Sequence, residues 1–157
     1  MQTQFRHQNI YLDTCCLGRP FDAQSQGRIY HETEAIQAIV RNFLTGQLRW
    51  VSSSALETEV SRNPNVTQRN QIQSRLSSAH QTVQVGAGEI ARAVHLEKFG
   101  FPLFDALHIA CAESGGADVL LTTDDVFLNR AKRLRQHLYV AVENPHPWLQ
   151  AVIGGST

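Results

Sequence analysis

The chain has 157 residues, 42% of them hydrophobic and 18% charged, with 14 basic side chains against 14 acidic ones and no formal net charge. That length suits one compact domain of about 100–200 residues, and the apolar share excludes a disordered chain. Zero net charge excludes a uniformly basic protein that holds nucleic acid by bulk attraction, but leaves room for a basic patch beside an acidic one.

Asn9-Ile10-Tyr11-Leu12 is a short β-prone run that stops at Asp13, which predicts a first strand ending on a carboxylate. Gly18-Arg19-Pro20-Phe21-Asp22 breaks regular structure, and 24–27 reads as an exposed loop. Over 28–44 the apolar residues Ile29, Ile36, Ile39, Val40, Phe43 and Leu44 mostly keep helical spacing, and Gly46 suits the stop. A second strand is expected at 48–51. Ser52, Ser53 and Ser54 then offer N-caps for a helix carrying Leu56, Glu57, Glu59 and Val60, which Asn63-Pro64 ends. The polar stretch 65–80 has a thin apolar stripe, Val66, Ile72, Leu76 and Ala79, as a surface helix would. A third strand alternates over 82–85, and helices over 89–99 and 103–113 flank Gly100-Phe101-Pro102. Gly115-Gly116 closes the second of these before the most apolar strand, 119–122. A helix over 125–136, a last strand over 138–142 and a short element around Trp148 complete the chain.

Strands separated repeatedly by helices predict an α/β fold, a three-layer sandwich with a central, mainly parallel sheet of four to five strands and helices on both faces. Right-handed crossovers then bring the carboxyl ends of the strands to one rim, where ligands gather near the reversal of strand order. Without an internal repeat or a low-complexity linker, residues 1–157 are expected to form a single domain with its core over 9–148. The three cysteines, two of them adjacent at Cys15 and Cys16, make neither a disulfide framework nor a zinc-site spacing, which suits a reducing compartment. No apolar run approaches the roughly 18 residues of a membrane span, and MQTQFRHQN lacks a secretory apolar core. A cytoplasmic protein is expected, with no membrane partner.

The chemistry concentrates in a few acids. Asp13 ends the first strand, Asp124 follows the strand at 119–122, Asp105 opens a helix among apolar neighbours, and Glu59 or Glu57 sits early in the helix after the second strand. Any one of them could serve only to cap a helix. Together at one rim they repel, and a cation relieves that repulsion better than protonation does. Mg²⁺ or Mn²⁺ prefers such oxygen ligands, and metal-assisted hydrolysis of a phosphodiester follows from it.

The segments Ile10-Tyr11-Leu12-Asp13-Thr14, Ser53 to Val60, Asp105-Ala106-Leu107-His108-Ile109-Ala110 and Thr122 to Phe127 together resemble the PIN domain, above all the VapC-like toxins of toxin–antitoxin pairs. The resemblance runs from about Asn9 to Trp148 in the family's order. It implies endoribonuclease activity on RNA in a cleft holding one or two Mg²⁺ or Mn²⁺ ions. Under it Asp13, Asp105 and Asp124 match metal-binding acids, the last within a T-x-D-x-x-F pattern of Thr122, Asp124 and Phe127. Thr14 matches a small hydroxyl residue that orients the metal shell. The second acid, which precedes an aliphatic residue in the family, fits Glu59 before Val60. Glu57, about 200° away around a helix, is the alternative. Asp125 is either an outer ligand or a helix cap. The family further implies a small antitoxin that fills the cleft and allows a homodimer, for which 65–80 offers a surface.

For phosphate contact the positive residues are Arg19, Arg28, Arg62 and a group of Arg130, Lys132, Arg133 and Arg135; with only Lys98 and Lys132 as lysines, this is an arginine chemistry. His108 lies one turn after Asp105 on nearly the same face, where it either meets substrate or water or packs as a hydrogen-bonded core histidine. Two readings compete with the nuclease. One is a catalytically silent PIN-fold module that binds RNA or protein. The other is an aspartate-dependent phosphatase, which wants a second Asp where this chain has Cys15.

Overall fold

The alternation of strands and helices produces a sheet that is parallel throughout. A computed structural model describes residues 8–154. Most of the N-terminal stretch without a secretory core, residues 1–7, lies outside the described residues, as do 155–157 of the expected domain. In chain order the elements are β1 (Gln8–Leu12), α1 (Thr14–Gly18), a 3-10 turn (Arg19–Phe21), α2 (Gly27–Leu44), β2 (Leu48–Ser53), α3 (Ser54–Ser61), α4 (Val66–Leu76), β3 (Gln81–Val83), α5 (Ala87–Glu97), α6 (Leu103–Ser114), β4 (Val119–Leu121), α7 (Asp125–Arg133), a second 3-10 turn (Arg135–His137), β5 (Ala141–Glu143) and α8 (Pro145–Gly154).

The strand order is β3-β2-β1-β4-β5, and every neighbouring pair is parallel. The chain winds from β1 outward to β3, then crosses back to lay β4 on the other side of β1. Strand order therefore reverses between β1 and β4, which makes the crevice at their carboxyl ends the natural ligand position. Side chains of β1 alternate between the two faces. Ile10 and Leu12 join a core layer with Ile36, Ile39, Phe43 and Leu149, while Tyr11 joins the opposite layer with Leu96, Ala106, Ile109 and Phe127. Helices α2 and α8 thus cover one face and α5, α6 and α7 the other. Among the described residues no helix is long and apolar enough to cross a membrane.

Glycine matters at two junctions. Gly46, at φ 82, follows α2 in the left-handed region expected of a helix stop. A Cβ at Gly115 would stand 2.7 Å from Val51 Cγ1 and 2.8 Å from Val83 Cγ2, so the end of α6 meets β2 and β3 this closely only without a side chain.

The elements that depart from expectation are short. Thr14–Gly18 forms a short helix where no element is predicted, and Arg19–Phe21 forms a 3-10 turn within the expected break. Neither run is long enough for periodicity to register. Strand β3 stops at Val83 because the Val85 N–H donates to Ser54 Oγ at 2.9 Å instead of joining a ladder. The helix expected to reach 136 ends at Arg133 and tightens into a 3-10 turn. The last strand begins only at Ala141: Tyr139 is 86% exposed, and its N–H donates to Glu113 Oε2 at 2.8 Å.

Candidate active site

Asp13 follows β1 and Asp124 follows β4, one on each side of the reversal in strand order. Asp13 is 3% exposed. Its carboxylate accepts the Cys16 N–H at 3.0 Å and so caps α1, which explains how a five-residue helix forms immediately after the strand. Burial pushes the Asp13 carboxyl above the usual aspartate range, against the opposing hydrogen bonds from Thr122 and Cys16. Asp124 caps α7, its Oδ1 accepting the N–H groups of Val126 (2.9 Å) and Phe127 (3.3 Å). The Asp124 N–H donates to Thr122 Oγ1 at 3.0 Å. Thr122 therefore ties two acids together, accepting from the backbone of one and hydrogen-bonding the carboxylate of the other.

Asp105 sits in the first turn of α6. Burial, followed by the negative charges of Asp124, Asp13 and Glu59, pushes its carboxyl up to about 6. Charges act this way only at close range, so the four acids share one electrostatic field. Glu59 accepts hydrogen bonds at Oε1 from the Thr14 hydroxyl and, at 2.8 Å, from His108 Nε2. Burial raises the Glu59 carboxyl, but these hydrogen bonds and the positive charge of Arg62 outweigh it and hold the group below the usual range. Glu57 faces elsewhere on α3, exposed beside Gln73, Leu76 and Ser77 of the α4 region. The structure thus brings Asp13, Glu59, Asp105, Asp124, Thr14 and Thr122 together and leaves Glu57 apart.

The basic residues divide. Arg28 makes a two-pronged pair with Asp125 (2.7 and 2.8 Å) and donates to Thr123 O at 3.1 Å and to Glu32 Oε2 at 3.0 Å. Asp125 is spent on this pair rather than on a helix cap. Glu32, only 2% exposed, also accepts Arg19 Nε at 2.8 Å and Asn144 Nδ2 at 2.6 Å. Arg19 and Arg28 are therefore anchored at the rim by carboxylates. Arg62 instead lies 5.2 Å over the ring of Phe104, the neighbour of Asp105. Arg130 packs beside Gly100 at the turn between α5 and α6, and Lys132 pairs with Glu143 at 2.7 Å. Sequence reading missed Glu32, whose only signal is Arg28 at i−4 on the same helix, and gave Tyr11 and Ser53 purely structural places.

The donors at the crevice are all oxygens, carboxylates with the hydroxyls of Thr14 and Thr122 nearby, and the burial and acidic repulsion that raise Asp105 are what a hard cation offsets. Among the described residues no group of three or more His, Cys, Asp or Glu side chains stands close enough to hold a metal ion by itself. An ion such as Mg²⁺ does not need one, because it keeps several waters and takes one or two carboxylates directly. The residues present fit such an ion.

Residues 10–133, from β1 to the end of α7, match the PIN domain family model. In fold the chain is similar to a chain in the crystal structure of VapBC2 from Rickettsia felis bound to a DNA fragment from their promoter, with a TM-score of 0.51 and 17% sequence identity over 87% of this chain and 98% of that one. No curated protein matches it. PIN domains are generally nucleases, and those nucleases generally use divalent metals. The matched stretch contains all four converging acids and both strands that flank the crevice; the chain belongs to the PIN domain family.

Proposed function

We propose that this protein is a Mg²⁺- or Mn²⁺-dependent endoribonuclease, the toxin of a cytoplasmic toxin–antitoxin pair. The convergence of Asp13, Glu59, Asp105 and Asp124 at the strand-order reversal carries the reading, with Asp105 pushed up to about 6 through its burial and its three acidic neighbours. Asp13, Asp105 and Asp124 would hold the ion, one or two of them directly and the rest through its waters. Glu59 would hold the attacking water of that shell, so that a displaced Glu59 weakens the ion's binding as well. When bound, the ion activates water and offsets the charge that builds on a phosphodiester. Glu59, held ionised by Thr14, His108 and Arg62, is the group suited to accept the proton of the attacking water. Water oxygen bonds to phosphorus, the bond from phosphorus to the 3′ oxygen breaks, and that oxygen takes a proton. The products carry a 5′-phosphate and a 3′-hydroxyl. The VapBC2 complex supports a small antitoxin as the protein partner.

The test is cleavage of an end-labelled RNA by the purified chain with Mn²⁺, with EDTA, and with the Asp124→Asn variant. Asn preserves the cap of α7, so the variant keeps its fold while cleavage falls at least about 100-fold. Activity that survives both EDTA and the substitution would overturn the proposal. So would products that a 5′-phosphate-dependent exonuclease fails to degrade.

Arg62 is the arginine closest in effect to the acids, and no carboxylate anchors it in an ion pair among the described residues. Arg62→Ala is expected to weaken RNA binding alike across sequences and to reduce the salt slope of binding by about one counterion. Fluorescence anisotropy at several salt concentrations checks this. Arg19→Ala serves as the contrast, since its side chain is already occupied by Asp22 and Glu32.

A further inference from the structure

Behind Glu59 lies a run of polar groups that the acid cluster alone does not account for. Ser53 Oγ and Tyr11 Oη are 2.7 Å apart, Tyr11 Oη and His108 Nδ1 are 2.7 Å apart, and His108 Nε2 reaches Glu59 Oε1 at 2.8 Å. Ser53 and Tyr11 are fully buried and His108 is 2% exposed, so none of these groups exchanges its partner freely with water. They come from three elements: β1 supplies Tyr11, the end of β2 supplies Ser53, and α6 supplies His108. Tyr11 faces α6 because strand alternation sends it to the opposite layer from Ile10 and Leu12.

The Glu59 carboxylate, which can only accept, sets the proton placement in this run from its His108 end. Ser53 Oγ already accepts the Leu56 N–H at 3.0 Å as the cap of α3, and its own hydrogen needs an acceptor. Tyr11 Oη is that acceptor. The Tyr11 hydrogen then goes to His108 Nδ1, and the His108 hydrogen sits on Nε2 and goes to Glu59. The opposite direction would send the Tyr11 hydrogen to Ser53 and the serine hydrogen to the neighbouring Cys111 sulfur. It would also put the hydrogen of a neutral His108 on Nδ1 and turn the bare Nε2 lone pair toward the Glu59 carboxylate, a costly outcome for a part-buried pair.

We propose that Ser53, Tyr11 and His108 form a one-way hydrogen-bond chain that fixes the Glu59 carboxylate, making His108 and Tyr11 positioning residues for the acid cluster. The chain and Thr14 both end on Oε1, and Oε2 has no hydrogen-bond partner among the described residues. Glu59 is thereby presented with one oxygen anchored and the other open to the crevice. Because Ser53 caps α3, the same residue sets the helix that carries Glu59 and the first link of the chain that orients it. The positioning role rests on the nuclease reading; the proton arrangement does not.

Two measurements on the full chain test it. Long-range ¹H–¹⁵N correlation of the histidine rings reads the His108 tautomer. The expected result is hydrogen on Nε2 and none on Nδ1, with the Nδ1 resonance moving in Tyr11→Phe as its donor is lost; a hydrogen on Nδ1 overturns the chain. Calorimetric titration with Mn²⁺ reads the site without any turnover. His108→Leu and Tyr11→Phe are expected to weaken Mn²⁺ binding by about 10-fold or more. His108→Gln, whose amide nitrogen can replace Nε2 as donor to Glu59, should retain most of the affinity. Should His108→Leu fail to fold, Tyr11→Phe carries the same comparison with a smaller change. Unchanged Mn²⁺ affinity in both variants of an active protein overturns the positioning role. Wild-type protein that binds no Mn²⁺ and cleaves no RNA, yet shows the Nε2 tautomer, overturns the nuclease reading and with it that role, but leaves the chain's proton arrangement standing.

Discussion

Asp13→Asn is expected to lower divalent-dependent RNA cleavage by about 10³-fold while leaving the chain folded. The two halves of this outcome come from two jobs held by one carboxylate. Its first job is structural, accepting the Cys16 N–H to start α1, and an amide oxygen does this nearly as well. Its second is to bring negative charge to a place that disfavours it, since burial raises the Asp13 carboxyl even against two helpful hydrogen bonds. Asn retains the first job and removes the second. Asp13→Ala provides the contrast, because it also loses the cap, which lowers stability by about 1 kcal/mol. Single-turnover cleavage in Mn²⁺ beside thermal unfolding separates the two effects. A stable Asp13→Asn variant that cleaves at the wild-type rate would show that the crevice between β1 and β4 is not where the chemistry happens.

How much of this was readable in the chain itself follows from the range of the interactions involved. Strands and long helices write their own periodicity, so the parallel α/β layout, α2 and the limits of α3 were legible. So was the placement of Asp13 and Asp124 at strand ends, because a parallel sheet with crossovers sends all such ends to one rim. Short elements set by a single hydrogen bond were not legible: α1 depends on the Asp13 cap, and the start of β5 depends on where the Tyr139 N–H goes. Partners distant in sequence were equally hidden. Arg28 looked like a free phosphate-binding cation until the fold placed Asp125, 97 positions away, against it. His108 was left between two roles by helical spacing, since nothing local reveals that Tyr11 from β1 and Glu59 from α3 occupy its two nitrogens. The two candidates for the second acid differ by about 200° around α3, and only the position of α6 relative to α3 distinguishes them.

Asp105→Asn is expected to stabilise the metal-free protein at pH 7 and to remove the stabilisation that Mn²⁺ gives the wild type. Asp105 in the folded chain holds its proton up to about 6, against an ordinary value of 3.8. Between those values the folded state binds more protons than the unfolded one, so the group's contribution to stability is fully present below the ordinary value and is lost as pH rises through about 6. At pH 7 the metal-free wild type therefore carries an ionised carboxylate that burial disfavours and its acidic neighbours repel. The full shift corresponds to at most about 3 kcal/mol, and partial solvent screening of a group that is not fully buried reduces this to about 1–2 kcal/mol. An uncharged amide avoids that cost, and in a chain of this size the gain raises the melting temperature by about 3–6 °C. The wild type should lose stability between pH 5 and pH 7 in EDTA, whereas the variant should show a flatter profile over the same window. Mn²⁺ at about 100 times its dissociation constant adds about 2.7 kcal/mol to a protein that binds it only when folded. The wild type gains this and the variant does not, so their order of stability reverses when the metal is added. Thermal melts at pH 5 and pH 7, each with EDTA and with Mn²⁺, check the reversal. A variant no more stable than the wild type in EDTA at pH 7 would mean that Asp105 does not bear the combined cost of burial and acidic neighbours that its place implies. The cluster would then offer a cation no advantage beyond its oxygens.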